Sequence, residues 1–171
     1  ETLFAHLIHK DEDALDRLWA QADAARTTAT TWQRLSLALP GLVEVSPWRE
    51  EAAFALVIAR GCWPLHPMAV WLLTRQSDLI QQRSALAFVK QATTALSDVT
   101  AVQDGQLLQV SAAELLHDYM LEQFASGDRV PGGTVETLVH LLDKHGARLE
   151  RPMRLVMTAV AVLDKLRVGR Q

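Results

Sequence analysis

Apolar residues recur at three- and four-residue spacings along most of the chain, which is the pattern of helices with one buried face. The pattern begins at Leu3 and is interrupted near Asp11, a residue that can cap the helix after it. It can then continue to Leu39, although the threonines between residues 27 and 31 weaken it. Pro40 and Gly41 end it, so this part of the chain predicts helices separated by a break near residue 11.

Six more helices follow from the same spacing and from local capping signals. Ser46 with Pro47 indicates the start of one helix, and Ser111 with Glu114 has the capping-box spacing of another. The helices are expected at about residues 47–60, 67–75, 77–96, 111–125, 134–145 and 151–168. The last is apolar around most of its circumference, so we expect it in the centre of the core.

The helical spacing fails between Val99 and Val110. There, Asp104 and Gly105 separate two short arms in which apolar and polar residues alternate, and this predicts a small β-hairpin. The expected fold class is therefore all-α, a bundle of about seven to eight helices with one hairpin near residues 99–110.

Composition and charge narrow the class of protein. With 171 residues, 49% of them hydrophobic, the chain is long enough to bury one sizeable core. A net charge of −3 argues against nonspecific nucleic-acid binding by the chain as a whole, but this net charge is compatible with a local basic patch. No apolar run approaches the roughly 20 residues of a membrane span. The chain has a single cysteine, Cys62, so it cannot form an internal disulfide. This composition fits a reducing compartment, and we expect the cytoplasm.

The chain begins at Glu1 without a methionine, so we expect a fragment of a longer protein. Residues 1–171 are expected to form a single helical domain. A subdivision near residues 40–47, into 1–40 and 47–171, is the alternative because Pro40 and Gly41 interrupt the pattern there.

Candidate catalytic and metal-binding groups are few, and we expect neither kind of site in this chain. It lacks the Gly-x-x-x-x-Gly-Lys-Ser/Thr loop that cradles phosphates and the Gly-x-Ser-x-Gly turn that presents a nucleophile. His117 and Asp118 are neighbours on a predicted helix, where side chains point about 100° apart, so they do not face each other. Two histidine pairs, His6 with His9 and His140 with His145, lack further ligands at metal-binding spacing.

Arg83 suggests more than a stable helical bundle. At helical spacing it shares a face with Leu79, Ile80, Leu86 and Ala87, and a buried guanidinium is unfavourable unless it is paired. Asp78 or Glu114 can supply a partner within the chain. A phosphate held by another domain is the alternative partner.

Three motifs carry a resemblance to a known class of protein. They are Trp63-Pro64-Leu65-His66-Pro67 with the apolar helix behind it, Gln82-Arg83-Ser84-Ala85-Leu86-Ala87-Phe88, and the helix from Ser111 to Tyr119. Over about residues 54–168, the chain resembles the helical region that follows the P-loop core of large bacterial ATPases of the AAA+ class, in particular those of BREX and Pgl phage-defence systems. It departs from that pattern at Gln82 and Ser84, where the family tends to have Glu and Thr.

The resemblance implies a helical lid or linker region with no catalytic activity of its own. Arg83 would then sense a phosphate of ATP that is bound, with Mg²⁺, by the nucleotide-binding domain of the same polypeptide. The corner at residues 64–67 would be a rigid support for two helices. Further protein partners or a homo-oligomer are compatible with this role. The alternative is a helical protein-protein interaction domain with no nucleotide role, in which Arg83 makes a structural ion pair.

Overall fold

The computed structural model describes residues 5, 6, 8–75, 82–122 and 133–165, except for the side chains of residues 75, 82–85, 162 and 165. Over these residues the fold is all-α with one two-stranded antiparallel hairpin, as the sequence predicts. The chain divides into two compact units, residues 1–70 with 97–109 and residues 71–96 with 110–171. The expectation of one domain, or of a subdivision near residues 40–47, stays a prediction.

Eight α-helical segments are described, and two of them continue as π-helix. They are α1 (Glu12–Gln21), α2 (Ala24–Ala38), α3 (Glu51–Ala53, with π-helix over Phe54–Arg60), α4 (Pro67–Arg75), α5 (Gln82–Ala95), α6 (Ala112–Leu115, with π-helix over Leu116–Met120), α7 (Thr134–His145) and α8 (Arg151–Lys165). The hairpin consists of β1 (Val102–Gln103) and β2 (Gln106–Leu107), and short 3-10 helices lie at Pro40–Leu42 and Gly146–Arg148.

Local capping chemistry sets the start of two helices where the sequence predicts it. An Asp11 carboxylate oxygen accepts the N–H of Ala14 at 2.9 Å and caps α1. At α6, the Ser111 hydroxyl accepts the N–H of Glu114 at 3.1 Å, and the Glu114 carboxylate accepts the N–H of Ser111 at 2.9 Å. This reciprocal pair confirms the predicted capping box.

The hairpin is closed by the predicted Asp-Gly turn. Asp104 and Gly105 have φ values of 51° and 73°, the left-handed conformation that a two-residue turn of this type requires. Val102 pairs with Leu107, and the N–H of Leu108 donates to the carbonyl of Ala101 at 2.8 Å.

Burial of Trp48 in the core of the first unit makes α3 start later than the sequence predicts. Trp48 is buried and packs against the fully buried Phe54, with ring centroids 5.5 Å apart, and the indole N–H of Trp32 donates to the carbonyl of Trp48 at 3.0 Å. Turns at residues 46–48 carry Trp48 into this core, so α3 begins at Glu51 and the predicted start near Pro47 is wrong. Its end at Arg60, before Gly61, is as predicted.

The second unit has its core between α5, α6, α7 and α8. In this unit α8 packs against both α6 and α7. The buried apolar side chains include Phe88, Val89, Ala92, Leu115, Leu116, Met120, Val135, Leu138 and Ala161.

The orientation of α8 differs from the prediction of a central core helix. Its described exposed side includes a row of apolar side chains: Met153, Val156, Val160 and Leu163, which are 42–64% exposed. Its buried side carries Thr158 and Ala161. Small side chains let α8 approach its neighbours closely, and the Thr158 hydroxyl is satisfied within the helix because it donates to the carbonyl of Arg154 at 2.8 Å. The expectation was wrong because a count of apolar residues does not say which face is buried.

Candidate functional site

The corner between Gly61 and α4 ends in a capped helix N-terminus. His66 is the residue before Pro67, and its carbonyl accepts the N–H groups of Ala69 and Val70 at 2.8 and 3.2 Å. The Nδ1 of its ring accepts the N–H of Met68 at 3.1 Å. His66 therefore caps α4, and proline at the first helical position has no N–H that needs a partner.

Burial determines the protonation state of this cap. Pro64, Leu65 and Pro67, its neighbours along the chain, are buried, His66 itself is partly buried, and burial lowers the pKa of its imidazole because the charged form loses solvation. An Nδ1 that accepts a hydrogen bond must be unprotonated, so the neutral ring carries its proton on Nε2. The described contacts of the corner are those of a helix cap, and the support role that the resemblance implies stays a prediction.

The residues before the corner are also held by structural contacts. The indole N–H of Trp63 donates to the carbonyl of Leu108 at 3.0 Å, which joins the corner to the end of the hairpin. Cys62 is fully buried, and its thiol lies 3.3 Å from the carbonyl of Val57, as expected for a structural cysteine. The Lys10 ammonium donates to the carbonyl of Gly61, and burial is the main cause of the lowered pKa of Lys10.

The same unit contains a three-residue ion cluster that the sequence did not predict. Arg60, at the end of the π-helix, donates to Glu12 at 2.7 Å and to Asp16 at 2.5 Å. Hydrogen bonds to these two carboxylates raise the pKa of Arg60. The i, i+4 spacing of Glu12 and Asp16 on α1 places both on one face, but no local signal connects them to an arginine more than forty residues away.

Arg83 lies on α5 in the second unit, and its side chain is outside the described residues, as is all of Asp78. Glu114, the other internal partner that the sequence offers, is already engaged. It accepts the N–H of Ser111 and lies 3.5 Å from a guanidinium nitrogen of Arg151. The partner of Arg83 therefore stays a prediction.

The face of α5 that includes position 83 is exposed where its side chains are described. Leu86 is 36% exposed, and Ala87 and Lys90 are also exposed. These positions lie three, four and seven residues after Arg83, so helical spacing places them on one face. The buried face of α5 carries Phe88, Val89 and Ala92. The expected burial of the Arg83 face is thus not observed at Leu86 and Ala87.

The segment around His117 is structural in its described contacts. Asp118 accepts hydrogen bonds from both terminal nitrogens of Arg151, each at 3.1 Å, which ties the start of α8 to α6. This pairing is the main cause of the raised pKa of Arg151. Asp118 is therefore engaged by Arg151, and the expectation that His117 and Asp118 do not act as an acid-base pair stays a prediction.

Neither a metal cluster nor a membrane span is found in the part of the chain that the structure describes. No group of three or more His, Cys, Asp or Glu side chains there is arranged to hold a metal ion. His140 lies 3.9 Å from Glu136, one turn earlier on α7. No described helix combines the length and the apolar character needed to cross a bilayer. The expectation that the chain has no metal or catalytic site stays a prediction.

Comparisons with known proteins assign no family to this arrangement. No protein-family model, no curated protein and no solved structure matches the chain.

Proposed function

We propose that this chain is the non-catalytic helical lid or linker region that follows the P-loop core of a large bacterial ATPase of phage defence. In this role, ATP and Mg²⁺ are held by the nucleotide-binding domain of the same polypeptide, and Arg83 approaches a phosphate of the bound nucleotide. A guanidinium stabilises the charge that develops on a transferred phosphoryl group, so it acts without any other catalytic group in this chain.

The exposed α5 face is the observation that carries this proposal. Leu86, Ala87 and Lys90, on the face that includes position 83, are open to solvent, so a phosphate from outside this chain can reach that face. The engagement of Glu114 with Ser111 and Arg151 supports the same proposal, because it weakens the case for an internal carboxylate partner.

The test is ATP turnover by the polypeptide that contains this region. Arg83→Ala should lower kcat about 10²-fold, the usual effect of removing one transition-state donor, while the fold is retained. Lys90→Ala is the matched control, since it removes an exposed cation from the same face of the same helix. Equal turnover by wild type and Arg83→Ala would reject the nucleotide role. The encoding reading frame gives a second check, because the proposal requires a Gly-x-x-x-x-Gly-Lys-Ser/Thr loop upstream.

A second candidate, a helical protein-protein interaction domain, is favoured by the exposed row on α8. Met153, Val156, Val160 and Leu163 are spaced by three, four and three residues, which is the spacing of a coiled-coil seam. No charged side chain interrupts the row, so the same helix of a second copy can pack on it without like-charge repulsion. Covering the row with a second copy would remove apolar surface from water.

Sedimentation equilibrium distinguishes the interaction domain from the ATPase lid. The interaction-domain hypothesis predicts self-association of the wild-type chain that Val156→Lys abolishes, together with normal ATP turnover by Arg83→Ala. A monomeric wild-type chain at every accessible concentration would reject pairing through α8. The two candidates make opposite predictions for ATP turnover by Arg83→Ala, whereas self-association is predicted by the second candidate alone.

A further inference from the structure

A groove of about 540 Å³ lies in the first unit between α2 and the π-helix that continues α3. This volume is within the roughly 300–1,000 Å³ of ligand pockets. Its apolar lining includes Trp19, Ala25, Ala29, Ala52, Ala55 and Leu56. The space exists because both facing helices present alanines, whose short side chains leave the gap between them unfilled.

Leu56 gives the groove an exposed apolar edge. It is 67% exposed although it lies in the middle of the π-helix, and its carbonyl accepts the N–H of Gly61 at 2.9 Å in the wide π-type pattern. Trp19 lies on the α1 side of the same groove and is only partly buried. Trp19 and Leu56 thus both present apolar surface to a large side chain that enters the groove.

The rim of the groove is acidic. Glu51 lines it and is exposed, and Arg60 lines it with both terminal nitrogens occupied by Glu12 and Asp16. The side chains of Glu12 and Asp16 are themselves 69% and 64% exposed. Two carboxylates therefore pair with the guanidinium of Arg60, and with Glu51 they give this part of the surface three acidic groups and one basic group, a net charge of −2.

The negative charge of the rim is not neutralised by nearby cations or by the charge of the rest of the first unit. Arg26, next to Ala25 on α2, is paired with Asp23 at 2.5 Å. The residues of the first unit include eleven acidic and six basic side chains, not counting histidine. An anionic partner such as a phosphate or a nucleic acid would be repelled here, whereas a cationic partner would be attracted.

We propose that this groove docks a basic amphipathic helix of a partner protein. One or two large apolar anchors of that helix enter the groove over Ala29 and Ala55. Ala25 and Ala29 lie one helical turn, about 6 Å, apart, so two anchors that are also one turn apart match the spacing of the groove. Lysine or arginine side chains beside the anchors pair with Glu51 on one side and with the outer oxygens of Glu12 and Asp16 on the other. The inference does not depend on any role in ATP turnover.

Three synthetic helical peptides of about 16 residues test the proposal by fluorescence anisotropy with the whole chain. The first has leucine at i, i+3, i+4 and i+7 with lysine at the exposed positions, the second replaces every lysine with glutamate, and the third replaces every leucine with alanine. Only the first should bind, and its affinity should fall as salt is raised because the rim charges are screened.

Substitutions in the groove identify the binding surface. Ala29→Leu fills the groove and should weaken binding of the lysine-leucine peptide at least about tenfold, whereas Ala38→Leu, an exposed alanine on the same helix, should not. Glu51→Lys should also weaken binding, whereas Glu44→Lys, an exposed glutamate outside the groove, should not. Circular dichroism checks that each variant is folded, and Glu51→Lys decides the test if Ala29→Leu is not.

Several results would overturn the proposal. They are equal binding of the glutamate and lysine peptides, absence of binding by both, and unchanged binding after Glu51→Lys. Self-association of the wild-type chain that Ala29→Leu abolishes would also overturn it, because a second copy would then be the occupant.

Discussion

The ring Nδ1 of His66 accepts the backbone N–H of Met68 at 3.1 Å, so a neutral imidazole closes the first turn of α4. The same helix starts at Pro67, where the missing N–H needs no partner. Because the acceptor is a nitrogen that can be protonated, this cap depends on pH, which an asparagine or serine cap does not.

Acidification should weaken the His66 cap. Burial lowers the pKa of His66 below its ordinary value of 6.5, so the unfolded chain binds the proton more readily than the folded chain. The stabilisation is therefore complete above pH 6.5 and is lost as the pH falls from 6.5 through the lower pKa of the folded state. Urea unfolding at a series of pH values should show this loss in the wild type.

His66→Asn should remove that pH dependence while keeping a capping oxygen, since asparagine is among the best N-cap residues. His140→Asn is the control, because His140 is 77% exposed on α7. The difference in unfolding free energy between wild type and His66→Asn should change with pH only in the window below 6.5. Parallel curves for these two proteins at every pH would contradict the assignment of His66 as a partly buried, neutral cap.

Truncation of two residues of the π-helix should have very different effects on stability. Phe54 is fully buried against Trp48, so Phe54→Ala should lower the unfolding free energy by about 3–5 kcal/mol through lost burial and a cavity. Leu56, two positions later, is 67% exposed, so Leu56→Ala should change it by less than about 0.5 kcal/mol. Urea unfolding of both variants measures the contrast, and similar losses would mean that the π-helix is rotated from the described orientation.

Features that depend on neighbouring residues could be predicted from the sequence. The turn at Asp104 and Gly105 needs only two residues that accept positive φ, and the Ser111 capping box needs only a partner three positions on. The start of α4 at Pro67 follows from proline chemistry in the same way.

Features that depend on distant contacts could not be predicted. The start of α3 at Glu51 is set by the burial of Trp48, and the pairing of Arg60 joins it to α1 across more than forty residues. The π-helices change the hydrogen-bond register without any composition signal. The exposed groove rim likewise depends on how α2 and α3 pack, which spacing within one helix does not determine.

The pairing of Arg151 with Asp118 should contribute a measurable coupling energy. Both terminal nitrogens of Arg151 bind the carboxylate at 3.1 Å, but the Arg151 side chain is 49% exposed, so solvent screening limits the coupling to about 0.5–1 kcal/mol. A double-mutant cycle with Arg151→Ala and Asp118→Ala measures it by urea unfolding.

A second ion pair gives that cycle its control. Arg26 and Asp23 lie 2.5 Å apart, but their side chains are 82% and 58% exposed, so the same cycle there should give a coupling near zero. Raising the salt concentration should reduce the Arg151 coupling. Equal couplings for the two pairs would show that the bidentate geometry of Arg151 adds nothing to stability.

Adjacent positions on α8 test which face of that helix is buried. Val160 is 59% exposed, so Val160→Lys should change the unfolding free energy by less than about 0.5 kcal/mol. Ala161 is 1% exposed, so Ala161→Lys places an unpaired ammonium in the core and should lower it by more than about 3 kcal/mol. Thermal and urea unfolding measure both changes. Comparable destabilisation by the two substitutions would restore the sequence-based expectation that α8 lies in the centre of the core. A contrast between them would confirm that the row of Met153, Val156, Val160 and Leu163 stays in water within this chain, which leaves it open to a partner.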